Sequence, residues 1–226
     1  MNAAPRDTTS ERLLDLQLSF NLYPSQYAHA SWLERLGMSD ADHESRTSPL
    51  WTRSVSSALL RAANLDKHFD NDFYDPAKRL ALIDASTLTR VAGLVCATLL
   101  RERIKRAVRQ EEVRVMQKSI GAEAHAFAVR FGGLLPMVTP PFAAGPWPAS
   151  TEWQKAAVLL IFGALPAHAI GVMGRMRMRF SSDWTPSRHR LNEPQRVGLT
   201  KLIVAVIMQS TPDWRWLFEA EISGEA

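Results

Sequence analysis

Six histidines, His29, His43, His68, His125, His168 and His189, are the first candidates for holding a metal or moving a proton. They are scattered. None forms a His-x-x-x-His pair beside a glutamate, so the helical zinc-protease arrangement is absent. "DNDFYD" at 70–75 places Asp70, Asp72 and Asp75 close together, but a calcium loop also needs a mid-loop glycine and a closing glutamate at fixed spacing. The run reads as a capped turn with solvated carboxylates. No glycine-rich loop leads into a lysine, and no Gly-x-Ser-x-Gly elbow presents a nucleophile. Cys96 is the single cysteine; it excludes an internal disulfide and a cysteine-based metal site, and its apolar neighbours in "LVCATLL" read as a buried, inert thiol. The sequence thus offers no catalytic, cofactor-binding or metal-ligating set.

Two other stretches carry chemistry of contact. "FNLYPSQYAHASWL", residues 20–33, holds Phe20, Tyr23, Tyr27 and Trp32, one proline and one histidine, and no charge. Such a segment is either core or a surface for another protein, because aromatic side chains serve as core-formers and as binding anchors. His29 reads as a hydrogen-bonded structural histidine. Between 101 and 118, Arg101, Arg103, Lys105, Arg106, Arg109, Arg114 and Lys118 are offset by Glu102, Glu111 and Glu112. This is the pattern of the solvated face of an amphipathic helix, with a docking face for an acidic partner as the other reading. The net charge of +4 is too small for a phosphate-dominated surface.

The elements that must position these residues are helical almost throughout. Trp51, Val55, Ala58, Leu59 and Ala62 share one helix face, with "TSP" at 47–49 offering a cap and a first-turn proline. Leu88, Val91, Val95 and Leu99 form the next stripe, begun by Ser86 as cap. Ile104 and Val108 extend it, and no breaker intervenes before Gly121, so one long helix past residue 110 is expected. Leu199, Leu202, Ile203 and Val206 repeat the spacing in a helix started at Asn192 or Glu193, with Pro194 in its first turn. "TPDW" at 211–214 reads as a stop and restart. "RMRMRF" at 175–180 alternates like a short strand and equally suits a helix end. Residues 156–173 approach the ~20 apolar residues of a membrane span, but Pro166 and the glycines favour two buried helices meeting near that proline. "GGLLPMVTPPFAAGPWPAS", 132–150, holds five prolines and three glycines and reads as a long, apolar loop pinned by Trp147. The N-terminus lacks a hydrophobic signal core.

The expectation is a mainly α, compact, multi-helix, bundle-like domain with a long Pro/Gly-rich loop between two helical parts. Residues 1–12 read as an N-terminal extension and a candidate for disorder. Residues 13–226 read as one helical domain: 13–131, loop 132–150, and 151–220.

In "FNLYPSQYAHASWL", Pro24, Tyr27 and His29 form a Pro-x-x-Tyr-x-His pattern that resembles the N-terminal signature of the SctK (YscK- and PscK-like) family of type III secretion systems. "GPWP" at 145–148, followed by Trp153, is similar to a segment of the family's second half. "LTRVAGLVCATLLRERIKRAV" resembles its leucine-rich helix with a basic end, and "LIVAVIMQSTPDWRWLF" has a comparable shape. The order of these pieces covers most of the chain; the first dozen residues and the arginine-rich 175–190 region have no counterpart. The resemblance implies a non-enzymatic adaptor without cofactor. It would link the cytoplasmic domain of the inner-membrane ring protein SctD to the pod protein SctQ of the sorting platform, and through it to the ATPase complex. It further implies a cytoplasmic location, peripheral to the inner-membrane base, without membrane insertion or nucleic acid. Partner contact is expected at Tyr23, Pro24, Tyr27, His29, Trp32, Phe142, Pro146, Trp147 and Trp153. The alternative is a helical, basic nucleic-acid-binding or regulatory protein.

Overall fold

The computed structural model describes residues 8–38, 48–139, 150–184 and 191–219. Every regular element among them is a helix, so the mainly α expectation holds. The chain divides into two compact units, residues 1–84 with 167–185, and residues 85–166 with 186–226.

The first unit contains α1 (Thr8–Leu22), a 3-10 turn (Pro24–Gln26), α2 (Ala30–Arg35), α3 (Pro49–Ala62), the single turn α4 (Pro76–Arg79) running into a second 3-10 turn (Leu80–Leu82), and α10 (Ile170–Met178). Pro49 opens α3, where a missing N–H costs nothing; Ser48 precedes it without a side-chain cap bond. The α3 face differs from the expected stripe. Val55 and Leu59 are buried and Ala62 is exposed, while Ser56 and Leu60 turn inward. The reason lies at Ser56, whose hydroxyl donates to Ser25 Oγ at 2.8 Å and accepts from the Ser25 N–H at 3.2 Å. A hydrogen-bonded pair therefore holds the side of α3 that hydrophobicity alone would expose. Leu33, Val55, Leu59, Leu60, Leu65 and Met178 form the core beneath α2 and α3.

The "DNDFYD" run is more than a solvated turn. Asp75 caps α4, accepting from the Ala77 N–H at 2.9 Å. Asp70 and Asp72 both pair with Lys78, a buried ammonium, at 3.0 and 3.3 Å. Burial pulls that ammonium's pKa down, yet its bonds and attraction to the two carboxylates prevail and hold it above the ordinary lysine value.

The second unit contains α5 (Ala85–Leu99), α6 (Arg101–Arg106), α7 (Gln110–Ile120), α8 (Ala122–Phe131), α9 (Ser150–Ala164), α11 (Glu193–Ser210) and a closing 3-10 helix (Pro212–Leu217). The central helix is α5, which packs on α8, α9 and α11. It buries Leu88, Val91, Ala92 and the whole run Leu94–Thr98, as a helix that is apolar nearly all round must. Thr98 removes its own polar cost by donating to the Leu94 carbonyl at 2.9 Å. Cys96 lies inside α5, and burial pushes its thiol far above the ordinary range. In α11, Asn192 and Gln195 close a reciprocal capping box with Pro194 in the first turn, and Leu199, Leu202, Ile203 and Val206 are all buried. Thr211 ends α11 and Pro212 restarts the chain as a 3-10 helix.

Two expectations are corrected and one open alternative is settled. Ser86 is no cap, since α5 already includes Ala85. The 175–180 alternation belongs to the end of α10, not to a strand. The long helix past residue 110 is three pieces, interrupted at Leu100 and again at 107–109. A straight helix would set Met116 roughly 120° around the axis from Ile104. Both are buried, each on its own helix, and Val108 at the turn between them is 90% exposed instead of extending the stripe. Around Pro166, α9 ends at Ala164 and α10 begins at Ile170. Among the described residues no helix is long and apolar enough to cross a membrane. Gly132–Thr139 leave the helical path after α8, and the remainder of the expected loop, to Ala149, lies outside the described residues.

Candidate functional site

The uncharged aromatic stretch folds against the arginine-rich end of α10, both within the first unit. Phe20, in the last turns of α1, is buried. Its ring stacks on Tyr27 with centroids 5.6 Å apart and meets Phe73 edge-on at 5.9 Å. Pro24 sits buried in the first 3-10 turn, which turns the chain back so that the Tyr27 hydroxyl donates to the Phe20 carbonyl at 2.6 Å. Arg179 lies over the Tyr27 ring at 4.5 Å and reaches Phe20 at 5.8 Å. Arg177 lies over Trp32 at 5.0 Å and Arg35 approaches the same ring at 5.9 Å, while the Trp32 indole N–H donates to the Phe180 carbonyl at 3.0 Å. Each cation–π contact contributes on the order of 0.5–2 kcal/mol, most where water is excluded. The main chain closes the arrangement: the His29 N–H donates to the Met178 carbonyl at 2.7 Å, and the Ser182 N–H to Ser31 Oγ at 2.8 Å.

Beneath this layer Arg175 is buried, with 2% of its surface exposed and no carboxylate among its hydrogen-bond partners. Its guanidinium donates to four backbone carbonyls: Asn21 at 3.1 Å, Leu65 at 3.1 Å, Gly171 at 3.3 Å and His68 at close range. The Asn21 carbonyl belongs to the last turn of α1, where carbonyls lack helical partners and the dipole favours a cation. Asn21 itself is fully buried. Its amide donates to the Gln17 and Asp70 carbonyls at 2.9 and 2.8 Å and accepts the Asp70 N–H at 3.2 Å. Burial lowers the pKa values of Arg175, Arg177 and Arg179. Tyr27 and Asp70 oppose that at Arg175, Tyr27 and Asp84 oppose it at Arg179, and nearby Arg35 lowers Arg177 further. Gly171 leaves room for this network: a Cβ there would lie 2.9 Å from the His68 carbonyl and 3.2 Å from the guanidinium.

Of the expected contact residues, Tyr23, Pro24, Tyr27, His29 and Trp32 come together in this unit. Pro24 is buried, Tyr23, Tyr27 and Trp32 are half-buried, and His29 is exposed. His29 caps α2, its Nδ1 accepting from the Ser31 N–H at 3.3 Å. Trp153 lies buried on α9 in the second unit. Phe142, Pro146 and Trp147 lie outside the described residues. What the sequence reading missed is the role of the arginines. Arg175 in α10 and Arg179 just past its end both turn toward "FNLYPSQYAHASWL", and an alternating Arg-Met run was the signal available. Among the described residues no group of three or more histidine, cysteine, aspartate or glutamate side chains could hold a metal. The chemistry this arrangement supports is rigid presentation of an aromatic and cationic surface.

Tyr27 gives this cluster a pH signature. Burial raises its phenol pKa well above the ordinary value, against the smaller pull of Arg179 and Arg175. A phenol held high stabilises the fold in full below its unfolded value of about 10, and that contribution is lost as pH rises above it. Tyr27→Phe is therefore expected to flatten the loss of stability between about pH 10 and 11 in urea titrations. An unchanged alkaline slope would contradict the buried, neutral phenol.

The structure is thus that of a mainly α protein whose first unit is organised around an aromatic–arginine cluster. Residues 15–219 match the sequence model of the YscK family, described as YOP proteins translocation protein K, and the chain belongs to that family. A solved structure with the same fold is that of the cytoplasmic domain of the T3SS sorting platform protein PscK from P. aeruginosa. It has a TM-score of 0.58 at 20% identity, over 87% of this chain and 95% of that one. No curated protein matches this sequence.

Proposed function

We propose that the chain is a non-enzymatic adaptor of a type III secretion system, joining the cytoplasmic domain of the ring protein SctD to the SctQ pod of the sorting platform. The observation that carries this reading is the family match over residues 15–219. The fold shared with PscK, a T3SS sorting platform protein, supports it. The chain acts in the cytoplasm at the inner-membrane base and reaches the ATPase complex through SctQ. Its chemistry is contact: the exposed parts of Tyr23, Tyr27, His29 and Trp32, stiffened from behind by Arg177 and Arg179, with Phe142, Pro146 and Trp147 as further contact residues; Trp153, at 4% exposure, is core and not contact surface.

Purification of the full chain with the SctD cytoplasmic domain, and separately with SctQ, tests this. A stable complex with either is the expected result, and Trp147→Ala is expected to weaken one of them with the fold intact. Folded components that form no complex with either partner would sink the reading.

A further inference from the structure

The break at 107–109 creates a cleft in the second unit that the family match does not assign. The sequence from Arg101 to Lys118 contains no glycine or proline, and Arg109 precedes α7 without a side-chain cap, yet the helix stops at Arg106 and restarts at Gln110. Departures from local preference of this kind concentrate where a protein has a use for the geometry. Between α6 and α7 lies a cleft of about 600 Å³. It is lined by Arg103 and Arg106 from α6, Ala107 from the break, and Glu111, Glu112, Val115 and Met116 from α7. Met116 is buried, but Val115 is 54% exposed and Val108 stands out at the turn. Arg106, Glu111 and Glu112 are exposed, and their side chains form no hydrogen bond or ion pair among the described residues. Arg106 on α6 and Glu111 and Glu112 on α7 are therefore held beside exposed apolar surface without being spent on each other.

We propose that this cleft receives a short amphipathic helix of a partner protein. That helix would place apolar side chains one turn apart on Ala107 and Val115, acidic residues at Arg106, and basic residues along Glu111 and Glu112. A groove between two helices takes a third helix by interdigitating side-chain ridges. The described residues contain no strand edge for an extended peptide to pair with. The opposed charges fix the direction in which the helix lies and reject one of reversed pattern. A second copy of this chain is the poorer occupant, because a concave surface does not fill itself. The inference rests on the adaptor reading and deepens it by naming the surface and the chemistry of the segment that binds there.

The test uses the full chain, with SctQ and the SctD cytoplasmic domain as probes in separate calorimetric titrations. Three variants are compared with the parent: Val115→Asp, Arg106→Glu, and Glu111→Lys with Glu112→Lys. All change side chains at the solvent boundary, so circular dichroism and the unfolding midpoint are expected to stay at parent values. For one of the two probes, Val115→Asp and each charge reversal are expected to weaken binding about tenfold or more. Parent-like binding of both probes by all three variants would overturn the cleft assignment and leave the adaptor reading standing. Failure of the parent chain to bind either probe would overturn both. A parent homodimer that Val115→Asp splits would also overturn the assignment, giving the cleft to a second copy.

Discussion

Replacing Arg175 by methionine is expected to destabilise the first unit by about 3–5 kcal/mol, the range for removing one partner of a buried charged network. Burying a charge is costly, and a well-packed apolar substitute for a buried ion pair is often neutral or better. That outcome requires both partners to be replaced. Here the partners are main-chain carbonyls of Asn21, Leu65, His68 and Gly171, which no side-chain substitution removes. Methionine fills the volume and takes this donor from the Asn21 and His68 carbonyls, at about 1–3 kcal/mol each, whereas the Leu65 carbonyl keeps the His68 N–H at 3.1 Å and the Gly171 carbonyl keeps its place in the α10 ladder. The Gly171 carbonyl loses least, lying at the longest distance. Arg175→Lys keeps the charge but cannot span acceptors placed around a planar fork, so it should lie between parent and methionine. Urea unfolding measures the total, and hydrogen exchange across residues 17–33 and 64–70 localises it. A methionine variant as stable as the parent would mean that water or a rearranged chain satisfies these carbonyls.

Phe20→Ala carries the second large effect, a loss of about 3–5 kcal/mol. The ring is buried between Tyr27 and Phe73, with Arg179 at its margin, and three elements lean on it: the end of α1, the turn at Pro24 and the segment before α4. Alanine removes the transfer energy of the ring and leaves a cavity whose walls are aromatic side chains and main chain already held by hydrogen bonds, so collapse is limited. Phe20→Leu, which retains more volume, should cost less than half as much. Thermal unfolding with calorimetry distinguishes these. If Phe20→Ala shifted the midpoint no more than an exposed substitution such as Leu14→Ala, the aromatic stretch would not be the core of this unit.

The sequence made α5 and α11 legible because each buries a sustained run at helical spacing, and α11 also carries Asn192, Pro194 and Gln195 as start signals. The family was legible from the order of short motifs, and the match over residues 15–219 bears it out. The fate of 156–173 was legible at Pro166. Other features are set by partners distant along the chain. Nothing near 175 in sequence says that residues 167–185 join a unit made by residues 1–84, or that Arg175 points inward to carbonyls at 21, 65 and 68. Ser56 was passed over because its partner, Ser25, lies in another element. The break at 107–109 escaped notice because no glycine or proline marks it. For the contact residues, composition left core and surface as alternatives. Tyr27 and Trp32 are half-buried, with one face packed inside the unit and the rest open to solvent.

The measurement that bears most directly on the adaptor reading is a bridging experiment with three purified components. The SctD cytoplasmic domain and SctQ are passed together through size exclusion, with and without this chain. The account predicts that SctD and SctQ migrate separately alone and co-elute in one peak when the chain is added. If the two partners co-elute equally well without it, or remain apart in its folded presence, the chain is not the link between them.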